Sequence, residues 1–116
     1  MCGNELIVWQ RAIELTADIY RLTAAFPPSE QFGLSNQLRR ASVSIASNIA
    51  EGYGRSTRGE YVQFLGHARG STCELQTQLI IAKALGFGAP SMHESTEKLS
   101  ADVSRLLIAL MSKLKG

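Results

Sequence analysis

The chain has 116 residues, a hydrophobic fraction of 45%, a charged fraction of 19% and a formal net charge of +2. That length fits one domain over residues 1–116, able to bury roughly 65% of its unfolded surface with no disulfide or metal clip. The composition excludes a disordered chain, no apolar run reaches the roughly 18 residues of a membrane span, and so mild a charge does not by itself predict a nucleic-acid ligand.

The opening run Met1-Cys2-Gly3-Asn4-Glu5-Leu6 has no basic segment and no apolar signal core, so a cytoplasmic protein is expected. Cys2 and Cys73 are too few and too distant for a metal knuckle or a redox pair. Cys73 reads as a small packed side chain within a helix. No cofactor and no metal are expected.

Proline is confined to positions 27, 28 and 90, and the segments between them have helical period. The first predicted helix covers residues 8–25. Leu15, Ile19, Leu22 and Phe26 line one face, with Trp9, Ile13, Thr16, Tyr20 and Thr23 as a second stripe beside it. Pro27-Pro28 stops it. The second helix covers 34–52, with Leu34, Leu38, Ala41, Ile45, Asn48 and Gly52 as the inner stripe and Arg40, Ser44, Ser47 and Glu51 as a polar one. Gly52-Tyr53-Gly54 is expected to end it with a positive-φ cap, although a kinked rod running into the next helix is the other possibility.

The third helix covers 57–85 and repeats four-and-three spacing throughout, in Tyr61, Leu65, Ala68, Thr72, Leu75, Leu79 and Ala82. Thr57-Arg58-Gly59-Glu60 is a capping box with Thr57 as N-cap. The fourth covers 91–115. A second capping box is read in Ser91-Met92-His93-Glu94, an apolar face in Leu99, Val103, Leu106, Leu107, Leu110 and Leu114, and Lys113 and Lys115 sit where the helix dipole favours cations. Short connections between long amphipathic helices imply an all-α, antiparallel up-down four-helix bundle.

Catalytic and metal signals are weak. His67 and Ser71 are four apart on one helix, but nothing visible orients the histidine or supplies an oxyanion site. No HxxxH, ExxH or CxxC spacing is present. The tract Gly52-Tyr53-Gly54-Arg55-Ser56-Thr57-Arg58-Gly59 lacks the lysine and the preceding strand of a phosphate loop. It reads either as a plain turn or as an anion site built from Arg55, Arg58 and the free N–H groups of a helix start.

Basic residues gather unevenly. Arg39, Arg40, Arg55, Arg58 and Arg69 are opposed between positions 39 and 69 only by Glu51 and Glu60. Arginine suits phosphate forks, and the lack of interleaved aromatics favours backbone contact over base stacking. Ion pairing within the bundle is the competing account. Asn48, with Glu51 beside it, is expected in a structural polar network in an otherwise apolar seam. Ser42, Ser44, Ser47, Ser71, Thr72, Gln76, Thr77 and Gln78 either pair across the bundle or meet another subunit.

Val8-Trp9-Gln10-Arg11-Ala12, Ile19-Tyr20, Phe26-Pro27 and Gly33-Leu34-Ser35-Asn36-Gln37-Leu38-Arg39-Arg40-Ala41 form a familiar series. It continues in Ser44-Ile45-Ala46-Ser47-Asn48-Ile49-Ala50-Glu51-Gly52, Gly54-Arg55, Phe64-Leu65, Ala68-Arg69-Gly70-Ser71 and Glu74-Leu75-Gln76-Thr77-Gln78-Leu79. These blocks resemble the four-helix bundle proteins encoded in intervening sequences of bacterial large-subunit ribosomal RNA genes. The match is close over residues 6–88. Helix four matches only in pattern, and Ala46 departs from the proline of many members. The resemblance implies a homo-oligomeric ring, typically a pentamer, and a relation to the accessory protein of diversity-generating retroelements, a basic pentameric barrel that binds nucleic acid and a reverse transcriptase. It does not assign the arginines.

Two functions are therefore expected in competition. One is a non-enzymatic homo-oligomer that binds RNA or other nucleic acid through Arg39, Arg40, Arg55, Arg58 and Arg69. The other is an oligomeric scaffold that holds a protein partner, with no nucleic acid involved.

Overall fold

The apolar stripes read from spacing are the surfaces that meet. The computed structural model describes every residue from Met1 to Gly116. It has four helices, α1 (Gly3–Thr23), α2 (Leu34–Tyr53), α3 (Arg58–Ala84) and α4 (Pro90–Lys115), with a 3₁₀ turn at Pro28–Glu30. Each helix packs on its chain neighbours and α1 closes on α4, which leaves α1–α3 and α2–α4 as the diagonals of a square. The rod measures 43 × 24 × 20 Å.

Side chains fix the antiparallel register. Thr16 donates to the Ser42 carbonyl at 3.2 Å and Arg39 donates to Thr23 at 2.8 Å, which aligns α1 with α2. The Ser44 and Ser71 hydroxyls are 2.9 Å apart between α2 and α3. Lys83–Glu97 at 3.2 Å and Gln76–Ser100 at 3.5 Å align α3 with α4.

The core is one cluster of 19 buried apolar residues drawn from all four helices. Leu15, Ile19, Leu22 and Phe26 enter it as the spacing requires, as do Leu65, Ala68, Leu75, Leu79 and Ala82. In α2 the expected stripe residues Leu34, Leu38, Ala41, Ile45 and Gly52 are buried, and the stripe departs at one position. Ile49 is fully buried and Asn48 is only half-buried, because the inward face includes Ser42 and Ile49 as well as Leu38 and Ile45. The second stripe of α1 splits: Thr23 is buried, while Ile13 and Tyr20 are exposed.

Helix ends follow local chemistry, with three corrections to the sequence reading. Thr57 caps α3 as expected, accepting from the Glu60 N–H at 3.1 Å while its hydroxyl donates to the Glu60 carboxylate at 3.0 Å. The box at Ser91 does not form. Pro90 occupies the first position of α4, where its fixed φ starts the helix one residue before Ser91; Ser91 is thus inside the first turn, and the N-cap is Ala89, which has no side-chain acceptor. Gly54 ends α2 at φ −78, so no left-handed cap is used there. Cys73 is exposed and not packed, because it lies outside the buried flank of α3.

Left-handed glycine is used instead after α3. Gly86 has φ 76, its N–H bonds the Lys83 carbonyl at 3.1 Å, and the Phe87 N–H bonds the Ala82 carbonyl at 2.9 Å, a Schellman ending. His93, 2% exposed, then closes the α3–α4 turn through its ring Nε2 and the Phe87 carbonyl, 2.6 Å apart.

Gly52 sets how closely α2 approaches α3. A Cβ there would lie 2.9 Å from the Phe64 Cβ and 3.0 Å from Tyr61 Cδ1. Helix propensity alone would make Gly52→Ala stabilising by up to about 1 kcal/mol. Overpacking reverses the sign, and thermal unfolding should show a loss of about 1–3 kcal/mol.

Candidate nucleic-acid interface

The arginines divide by what they already touch. Arg39 is half-buried, bonded to Thr23, with its guanidinium 4.6 Å from the Tyr20 ring centroid, so it pins α2 to α1. Arg55 pairs with Glu51 at 2.8 Å, lies 3.9 Å from the Glu60 carboxylate and covers Phe64 at 4.7 Å. Arg40, Arg58 and Arg69 are exposed and have no carboxylate within ion-pair distance.

Two of those three share a face. Arg58, Arg69 and Gln76 are spaced eleven and seven residues apart, which returns each to nearly the same angle on a helix of 3.6 residues per turn. Gln76 reaches Ser100, so this flank of α3 borders α4. On α4, Met111 faces Gly66, its Cε 3.9 Å from where a Cβ would stand, and Lys115 follows one turn later on the same flank. Lys115 is exposed and unpaired. Arg58, Arg69 and Lys115 therefore border one end of the α3–α4 groove. The nearest acid on this flank, Glu97, is paired with Lys83 towards the opposite end. Arg58 and Arg69 are about 16 Å apart along the axis at 1.5 Å per residue.

Lys115 is the functional candidate that the sequence reading missed. Its place in the last turn of a helix points only to the helix dipole. The antiparallel register after Pro90, which sets Met111 against Gly66, is the signal that carries it towards Arg58.

Arg40 stands elsewhere. It lines the open groove between α2 and α3 with Asn36, Gln37, Ser44, Ser71 and Glu74. At the floor of that groove is the polar network. Asn48 donates to the Ser44 carbonyl at 2.8 Å and lies 3.0 Å from its hydroxyl, which meets Ser71. Glu51 does not join it, because its carboxylate is taken by Arg55 one turn away. With Ser71 bonded to Ser44 and the His67 ring edge-on to Phe64 at 5.8 Å, His67 and Ser71 are not hydrogen-bonded to each other. The anion-site reading of the α2–α3 turn keeps only Arg58, since Arg55 is turned back to Glu51.

Tyr61 lies beneath the α2–α3 turn. Its hydroxyl is buried without a partner, and burial first, then the charges of Glu5 and Tyr53, push its pKa up from 10.0 to about 12. The unfolded chain releases this proton before the folded one does. Its contribution to stability is thus whole below pH 10.0 and lost as the pH rises towards about 12. Alkaline denaturation titrations should show a steeper decline for the native chain than for Tyr61→Phe over that window.

Comparison with known proteins gives three findings. Residues 4–109 match the family model described as 23S rRNA-intervening sequence protein. The fold is similar to a crystal structure, at 1.70 Å resolution, of a protein of unknown function from the S23 ribosomal protein family of Bacteroides thetaiotaomicron VPI-5482, with a TM-score of 0.84 and 21% sequence identity over 95% of this chain and 99% of that one. No curated protein sequence matches the chain.

Proposed function

The chain belongs to the 23S rRNA-intervening sequence protein family, and from that premise we propose that it is a non-enzymatic, cytoplasmic homo-oligomer that binds structured RNA or another nucleic acid through the α3–α4 groove. The observation that carries this reading is the set of three exposed, unpaired cations, Arg58, Arg69 and Lys115, with no free carboxylate among them. Their spread along the helix is about five nucleotides of one duplex strand, at 3.4 Å each. Arg58 also stands in the first turn of α3, where the dipole adds to its attraction for phosphate.

Such a surface holds the phosphate backbone and does not read bases. One copy has too little charge for strong binding. Assembly multiplies it: five copies, the number the resemblance implies, carry about +10. The implied relation to the retroelement accessory protein supports the same reading, because that relative is a basic barrel that binds nucleic acid.

The test is binding of a structured RNA by fluorescence anisotropy across a salt series. The native protein should lose affinity steeply with salt. Replacing Arg58, Arg69 and Lys115 together by alanine should weaken binding at least tenfold and reduce the slope of log K against log salt by about 2.7, at 0.9 per phosphate contact. Replacing Arg39 and Arg55 should leave the slope as it is. No binding at low salt overturns the proposal and leaves the protein-scaffold reading.

A further inference from the structure

The groove between α2 and α3 has a charge arrangement that the bundle itself does not require. It is open, with a volume of about 530 Å³, within the range of small-molecule sites. Its lining holds one cation, Arg40, and one carboxylate, Glu74; the rest are amides, hydroxyls and Ala41. The two charges stand on opposite walls. Arg40 is four residues before Ser44 on α2 and Glu74 is three after Ser71 on α3, so each shares a helix face with its serine. The Ser44–Ser71 contact fixes the register of this antiparallel pair. Arg40 and Glu74 are thereby level to within about 1.5 Å along the bundle.

Level as they are, the two do not pair. No ion pair joins them, and neither has another partner of opposite charge. Gln78 holds the carboxylate on the α3 wall. It is 7% exposed, donates its amide N–H to Glu74 at 3.0 Å and keeps its own Oε1 buried without a partner. An orphaned buried oxygen is unfavourable, so Glu74 is fixed along its own helix against a local penalty. The floor adds a free donor. Asn48 donates to the Ser44 hydroxyl at 3.0 Å, and the Ser44 and Ser71 hydroxyls share one hydrogen bond at 2.9 Å. Whichever of the two donates, the other O–H has no acceptor in the chain, and both serines border the groove.

A guanidinium and a free hydroxyl donate to a carboxylate, and the carboxylate facing them accepts from an ammonium. A simple anion matches Arg40 and is repelled by Glu74, and a simple cation meets the reverse. A neutral ligand leaves both charges unmatched. A ligand with one charge of each sign satisfies both walls at once. We propose that the α2–α3 groove binds a small zwitterion of the amino-acid class, with its carboxylate on Arg40 and the free serine hydroxyl and its ammonium on Glu74. The site lies on a different flank of α3 from Arg69 and does not depend on the nucleic-acid reading.

Saturation-transfer NMR on the full chain tests it, with L-alanine, L-glutamine and L-leucine as probes and with acetate and methylammonium as the two halves of the ligand. The amino acids should give saturable transfer with a Kd of about 1 mM or below. Acetate and methylammonium, each alone, should bind about tenfold more weakly, since each makes one charged contact. Arg40→Gln and Glu74→Gln, with helix content verified by circular dichroism, should each weaken L-alanine binding about tenfold, whereas Arg58→Ala should leave it unchanged. No saturable transfer from any of the three amino acids overturns the proposal. Acetate binding as tightly as L-alanine overturns it too, because that marks a plain anion site, and this comparison needs only the native protein. So does native affinity in both glutamine variants.

Discussion

The close approach of α2 and α3 is the contact on which the rest of the molecule depends. Gly52 admits Phe64 and Tyr61 at a distance that no side chain would allow, and Ser44 meets Ser71 where larger residues would hold the helices apart. Small residues bring backbones together, and the price of the polar ones among them is settled by their own hydrogen bonds: Ser44, Ser71 and Asn48 satisfy one another at the groove floor. Once this pair is in register, α1 and α4 have one way each to bury their stripes.

The register then decides which charges are free. Arg39 and Arg55 sit where a neighbouring helix or turn offers an aromatic face and a hydrogen-bond acceptor, and they fasten the bundle at the α1–α2 and α2–α3 junctions. The exposed Arg55–Glu51 ion pair adds little stability, but the two sets of contacts remove two arginines from any ligand surface. Arg58 and Arg69 are left facing outward on the α4 side. There the return of the last helix adds Lys115 and no acid. A weak net charge thus becomes a local one by placement.

The buried polar atoms are where the bundle departs from a plain hydrophobic rod. The Tyr61 hydroxyl and the His93 Nδ1 have no partner within the chain. Both lie at turns, Tyr61 below the α2–α3 connection and His93 inside the α3–α4 one. His93 uses its other nitrogen to hold the Phe87 carbonyl, in a turn that Gly88 shapes with φ 86 because a Cβ there would come within 2.6 Å of Leu22. Connections this tight leave few positions open to substitution, and they keep the helices antiparallel.

Local rules were enough for the architecture. The four-and-three spacing, the paired prolines after Phe26, the Thr57 box and the glycines after Leu85 each act within a few residues, and together they determined four helices, their order and most of the core. Where two local signals competed, sequence could not rank them. Pro90 and Ser91 both mark a helix start, and only the folded turn shows that the proline prevails. Asn48 and Ile49 are neighbours on α2, and in the packed bundle it is Ile49 that is turned inwards. The arginines were visible as a group in the sequence, but their grouping in chain position is not a grouping in space. Which of them are bound, which are free, that Lys115 joins Arg58 and Arg69, and that Arg40 stands level with Glu74 were decided by packing alone. Those relations join residues on different helices, and no local preference of the chain encodes them.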